Sequence, residues 1–332
     1  MSYRSGRRRV IAWSIILALA LCALIWGLAN GPGFHWGVSN RNNFTTVKQQ
    51  GMGDGVSQIR IDWGLGDIIL TQSEDSSLHI LQKAEEHEDM IYFSTQQTGD
   101  TLEISSEKSV RWWDFFLGNA RLSDLEIQIP KGYQGALSID TQSGTIKVEG
   151  VKADALALAI DSGAGDIEFS GTVQSLQLTS TSGDIEVKGG IVLEQMSLQT
   201  SSGDIALGQG EIGQLTAQST SGDMEIAQLS TQQAKIATTS GDIAFSGTAT
   251  HLQANSTSGE IEVGLNAQPE SLSFTTTSGD IELHLPENSV FTLAFDTGSG
   301  DLRNDFAGQN TGQAAPVYTI QTVSYTHLRA HE

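Results

Sequence analysis

Thirteen carboxylates stand at regular distances along this chain. Asp166, Asp184, Asp204, Asp223, Asp242, Glu260, Asp280 and Asp301 recur every 18 to 21 residues. Glu168, Glu186, Glu225, Glu262 and Glu282 each follow one of them by two positions. Carboxylates can act as a general acid and base across a glycosidic bond when two of them face each other at a suitable separation. They can hold Ca²⁺ when six to eight oxygens converge. In an exposed column they can attract a cationic partner. At turns they can simply accept backbone N–H groups. Which of these applies depends on the elements that carry them.

Those elements are repeats. Each acid follows a corner glycine, in the series Gly144, Gly165, Gly183, Gly203, Gly222, Gly241, Gly259, Gly279 and Gly300. Seven residues before each glycine stand Leu137, Leu158, Leu176, Met196, Leu215, Ala234, Leu252, Leu272 and Leu293. Five before it stand Ile139, Ile160, Leu178, Leu198, Ala217, Ile236, Ala254, Phe274 and Phe295. Ser or Thr always stands three before, and apolar pairs such as Ile146/Val148 and Ile243/Phe245 stand two and four after. Alternation on both sides of a turn is the mark of half-buried strands.

A fixed period of this length means stacked units that bury their apolar faces against their neighbours. The expectation is an all-β parallel β-solenoid, a single-stranded β-helix with two short strands per coil of 19–20 residues. The strands meet at a Ser-Gly-Asp corner, where Gly supplies a positive φ. The acid accepts a backbone N–H as in an Asx-turn, and the Ser/Thr positions form a hydroxyl ladder to each other or to backbone. About four inward apolar side chains per coil contribute roughly 1.5–3 kcal/mol each, which only a stack can turn into a stable fold. Nine rungs about 4.8 Å apart give a rod about 43 Å long. A β-sandwich would not explain one corner motif in fixed register.

Parity then places both acid positions on the outward side of one strand, as two columns. Neighbouring charges at that spacing repel by about 1 kcal/mol in water, so the columns must be solvated, hydrogen-bonded or neutralised. Solubility and turn chemistry is the leading reading, ahead of a basic peptide or protein partner and ahead of Ca²⁺. The nine-residue repeat of calcium β-rolls is absent. The other strand shows mostly neutral outward residues, among them Gln177, Thr179, Gln199, Gln218 and Asn255, and that face could hold a glycan.

The rest of the chain is organised around this rod. Residues 1–9 are basic through Arg4, Arg7, Arg8 and Arg9, and Val10–Ala29 is an apolar run long enough to cross a bilayer. The positive-inside rule puts the N-terminus in the cytoplasm and the rest outside. The run is long for a signal peptide, and Pro32 makes a poor cleavage context. Cys22, the only cysteine, lies in this run, so no disulfide staples the remainder. Residues 30–56 read as a polar tether. Residues 57–130 hold a divergent first rung around Gly66 and then lose the period, as an end cap would. Trp112–Leu117 reads as an apolar lid on that end. Residues 131–324 are the regular coils. The octapeptide 325–332 breaks the repeat and looks like translated sequencing-adapter readthrough.

All 39 acids lie after residue 30 and four of the 18 basic residues before it, leaving the expected exported part at −25. Such a balance excludes nucleic acid as a partner. Catalysis is not expected. The coils are uniform, His35, His79, His87, His251 and His284 have no metal spacing, and no cofactor motif is present. The Ser-Gly pairs are corners rather than nucleophile elbows.

The repeated Thr-Ser-Gly-Asp-Ile-Glu segments and two strand ends, Ile127-Gln128-Ile129-Pro130 and Leu283-His284-Leu285-Pro286, resemble the bacterial adhesin-like family of unknown function, the Ser-Gly-Asp-rich β-helix proteins, over roughly Ile59 to Ser324. The resemblance implies a cell-surface protein, with envelope-stress links in some relatives, and no known reaction. The combined expectation is a membrane-anchored, non-catalytic adhesin or envelope scaffold. The alternative is an envelope-stress module whose acidic face meets cationic peptides or a basic partner.

Overall fold

The structure, a computed structural model, describes residues 45–52, 55–85, 92–106, 123–297, 301–304, 315–323 and 326–331. The expected membrane span Val10–Ala29, the lid Trp112–Leu117 and the corner Gly300 lie outside the described residues.

From Gly135 to Ser278 the chain climbs as a parallel β-solenoid. The column seven before each corner runs Leu137, Leu158, Leu176, Met196, Leu215, Ala234, Leu252 and Leu272, each paired with the next. The column after the corner pairs Ile146, Ile167, Ile185, Ile205, Met224, Ile243, Ile261 and Ile281 in the same way. All sixteen side chains are buried. In a stack with period-2 side chains, a one-residue slip would expose every apolar group, so register is strongly held.

Each coil has a third short side that the two-strand expectation missed. Val173 pairs with Ala153 and Val192, Val192 with Ile212, Ile212 with Thr231 and Thr231 with Ala249. Register shifts at Phe169/Ser170 and Val173/Ser175 mark two further corners. The side carries few apolar residues and several glycines, among them Gly171, Gly190, Gly210 and Gly247. Its periodicity is therefore too short and too weak to read.

At the N-terminal end the coils do not stack in chain order. Gln58–Leu65 lies between Thr101–Ser106 and Gly135–Ser143, parallel to both. Ile68–Gln72 likewise lies between Asp124–Ile129 and Ile146–Ala164. The rung around Gly66 is thus second in space. Phe93–Thr98 and Leu78–Ala84 close the outermost coil in antiparallel fashion. Part of the expected tether is structured too. Thr45–Met52 pairs antiparallel with Leu78–Ala84, and Lys48 lies over the Phe93 ring.

The C-terminal end has the mirror arrangement. Val317–Thr322 inserts between Ser271–Ser278 and Thr292–Thr297, parallel to both. Nine rungs in simple succession is therefore not what forms. Residues 326–331 of the octapeptide pair with Ile281–Pro286 and Leu302–Asn304, and Leu328 is buried.

Candidate binding face

The corner chemistry comes from three residues acting across rungs. The carboxylate Oδ1 of Asp166 accepts the backbone N–H of Asp184 at 3.0 Å. Asp184 accepts from Asp204 at 2.9 Å, Asp204 from Asp223 at 2.8 Å, Asp223 from Asp242 at 2.8 Å, and Asp242 from Glu260 at 2.7 Å. The divergent rung joins the series, because Asp67 accepts from Thr145 and Asp124 accepts from Asp67, both at 2.9 Å. The acceptor role expected of these acids is real. The donor belongs to the next coil, though, and not to the local turn.

The hydroxyls work in the opposite direction. Ser180 donates to the carbonyl of Gly165, Thr200 to Gly183, Ser256 to Gly241, Thr276 to Gly259 and Thr322 to Gly279, at 3.0–3.3 Å. The ladder is thus hydroxyl to backbone rather than hydroxyl to hydroxyl. Buried Ser and Thr hydroxyls require such a partner.

The expected reason for glycine holds at only some corners. Gly66, Gly144, Gly241 and Gly279 have positive φ, at +124°, +126°, +151° and +158°, but Gly165, Gly183, Gly203, Gly222 and Gly259 are not among the positive-φ residues. What the corners share is approach. A Cβ on Gly203 would meet the Gly183 carbonyl oxygen at 2.2 Å, and one on Gly222 would meet that of Gly203 at 2.0 Å. Backbone stacks on backbone at every described corner, and only glycine leaves room.

With this frame the acidic face can be laid out. Asp166, Asp184, Asp204, Asp223, Asp242, Glu260, Asp280 and Asp301 are all exposed along the corner line. The second column is interrupted. Glu186 and Glu225 are separated by Ala206, and Glu225 and Glu262 by Ala244, while Glu262 and Glu282 are neighbours. Its near end is neutralised. Glu168 lies between Lys147 at 3.1 Å and Lys188 at 2.6 Å, and Lys188 also reaches Glu186 at 3.4 Å. Lys188 and then Lys147 hold the Glu168 carboxyl below its ordinary range. The far end is crowded. Partial burial, and then Asp242, Asp280, Glu262 and Glu282, push the Glu260 carboxyl up. Glu282 is itself paired with His284 at 3.0 Å and Arg329 at 2.9 Å.

The opposite strand face is less neutral than its composition suggests. Asp62, Asp140 and Asp161 pair in register on consecutive rungs, all exposed. Arg60 stands beside Asp62 at the end of a shallow trough floored by Ala136, Ala157 and Ser138. Position four before each corner would have found these aspartates, had every copy been read rather than the neutral majority. The lysine pairs were hidden because Lys147 and Lys188 take different repeat positions. Among the described residues, no group of three or more His, Cys, Asp or Glu is arranged to hold a metal ion.

The sequence profile of the family described as Toastrack DUF4097 matches residues 56–189 and 170–330. No curated protein matches this chain. Several solved structures do. One is named putative lipid binding protein, from Parabacteroides distasonis, with 16% identity, 85% of this chain and 96% of the other covered, and a TM-score of 0.48. Another is named putative adhesin, from Parabacteroides merdae, with 14% identity, coverage of 86% and 96%, and a TM-score of 0.45. A third, also named putative adhesin, is from Bacteroides fragilis, with 18% identity, coverage of 84% and 98%, and a TM-score of 0.41. At these identities and scores the likenesses bear on neither binding nor activity.

Proposed function

We propose, from the premise that the chain belongs to the Toastrack DUF4097 family, that it is a cell-surface rod that adheres or scaffolds and does not catalyse. Val10–Ala29 anchors it in the membrane, with the N-terminus cytoplasmic and the solenoid outside. One observation carries the reading. The corner carboxylates, the groups best suited to chemistry, are engaged rung to rung, Asp184 with the Asp204 N–H and Asp204 with the Asp223 N–H. Side chains committed to the stack are poor candidates for acid–base work, which needs convergent groups poised on a substrate. What remains for outside contact is flat face, suited to an envelope protein or a glycan.

The test uses intact cells carrying the full chain. External protease should remove the solenoid, and adherence to protein- or glycan-coated surfaces should fall when the gene is deleted. A solenoid that resists external protease while sensitive after lysis sinks the surface reading.

A second reading is favoured by the crowding around Glu260. Partial burial first, and then four neighbouring carboxylates, raise the proton affinity of that site, and a cationic peptide or a basic domain would relieve the repulsive part. On this reading the rod is an envelope-stress module. Changing Glu260, Glu262 and Glu282 to Gln would then abolish salt-sensitive peptide binding while leaving surface adherence intact.

A further inference from the structure

The corner that follows the third side is not uniform along the rod. Three consecutive coils turn there on one residue each, Gly213, Gln232 and Thr250, between paired neighbours. The coils on either side carry insertions. Before the three, Leu193 and Glu194 together stand opposite Gly213, a bulge between Val192 and Gln195. After them, residues 266–270 take five positions where residues 248–250 take three. This second insertion is held at both ends, because the backbone N–H groups of Asn266 and Glu270 donate to the carbonyls of Gly247 and Thr250, each at 2.8 Å. Gln268 is fixed in turn by two side-chain bonds to the Val290 backbone, at 2.8 and 2.9 Å.

Two walls over three flush coils make a groove of about 660 Å³. The walls stand four coil spacings apart, about 19 Å along the rod. Leu193, 51% exposed, lines one end. Glu211, Ser230 and Gln232 are exposed along the middle, and Gln268 and Glu270 line the other end. Among the described residues, no Lys or Arg lines it. Bulges re-aim side chains, and insertions in a repeat array gather on the face that binds.

We propose that this groove binds an oligosaccharide containing amino sugars. The volume is that of a small-molecule site. Hydroxyl, amide and carboxylate groups on its lining suit a ligand that presents many hydroxyls, and Leu193 offers an apolar contact for the C–H face of a sugar ring. Glu211 and Glu270 attract an ammonium group and repel a uronic acid or a phosphate. A peptide finds no sheet edge to extend, since the coils here pair with the coil on either side. It finds one large apolar anchor, Leu193, where a docked peptide needs several. The inference rests on the surface-adhesion reading for where such a glycan is met, and gives that reading a site.

The test is calorimetric titration of the full chain, purified in detergent, with a glucosamine hexamer. The parent should bind it, and a galacturonate hexamer should not bind. Glu211→Lys should weaken binding about ten-fold, and Leu193→Asn about three-fold, by loss of the charge pair and of the apolar contact. Glu225→Lys makes the same charge change on another face of the rod and should stay within about two-fold of the parent. A parent that does not bind the glucosamine hexamer overturns the proposal. So does Glu225→Lys weakening binding as much as Glu211→Lys, which would make the attraction a property of the whole acidic rod. A lysine hexapeptide that binds as tightly and loses as much at Glu211→Lys overturns the sugar class. If either groove variant fails to fold, the comparison of glucosamine, galacturonate and lysine hexamers in the parent decides. External protease on intact cells reads the surface assignment separately. A chain that binds the hexamer and is shielded on cells keeps the site and loses the surface reading, whereas an accessible chain that does not bind loses the site alone.

Discussion

The carboxylate of Asp184 accepts the backbone N–H of Asp204 at 2.9 Å, one coil further along the chain. An acid that appears to decorate the surface is therefore a tie between rungs. The tie needs an acceptor oxygen and not a charge. Asp204→Asn should keep it and also remove repulsion, so stability at low salt should equal or exceed that of the parent. Asp204→Ala should cost about 1 kcal/mol, the worth of one hydrogen bond whose donor is then left to solvent. Urea denaturation of the two variants separates the effects. Equal destabilisation by both would show that charge, and not acceptance, holds the corner.

The corner glycines should be intolerant for steric reasons. Gly203→Ala sets a methyl group 2.2 Å from the Gly183 carbonyl oxygen, against backbone that cannot rotate away. A loss on the order of 3 kcal/mol is expected, at the upper end of overpacking costs. At Gly64, nothing lies within 4 Å of an added Cβ. Gly64→Ala should change the thermal midpoint little. Similar losses at both positions would contradict the stacking explanation.

The two ends of the glutamate column should respond to pH with opposite signs. Glu168 is held below its ordinary range by Lys188 and Lys147. Its contribution to stability is present above the unfolded carboxylate pKa, about 4.3, and fades as pH falls through the lower folded value. Glu168→Gln should therefore destabilise at neutral pH and match the parent in strong acid. The pair is partly exposed, so the effect should stay below about 1 kcal/mol. Thermal melts from neutral to acid pH check it.

Glu260 runs the other way. Its folded pKa is raised, by partial burial and then by Asp242, Asp280, Glu262 and Glu282. Stability tied to this group is present below the unfolded pKa and lost as pH rises through the folded one. Glu260→Gln should accordingly stabilise the protein at neutral pH, and the gain should vanish in acid. A neutral-pH loss would mean that the carboxylate is bound by a cation in solution.

The interior was legible because identical residue types recur at identical offsets. Leu158, Leu176 and Met196 stack as the spacing demands. The third side was not legible, since Gly171, Thr172 and Val173 carry one strong apolar residue between two corners. Nor was the order of coils at the ends. Leu272, Leu293 and Tyr318 occupy equivalent positions, and nothing local says that Tyr318 lies between the other two. In the structure Tyr318 is buried, donates to the Pro269 carbonyl at 2.8 Å and stacks on Phe291. The acidic positions and their acceptor role could be read from the repeat, but the donor on the next coil could not. Acceptance across rungs depends on stacking geometry that no single repeat contains.

On the proposed reading, the corner acids build the rod and do not recognise a partner. The most direct measurement changes Asp184, Asp204, Asp223 and Asp242 together to Asn in the full chain, and reads surface adherence and thermal stability side by side. Adherence should stay within about two-fold of the parent, with a thermal midpoint equal or higher at low salt, since each amide oxygen still accepts the next N–H. A folded variant that no longer adheres would contradict it and make the acidic column the recognition surface.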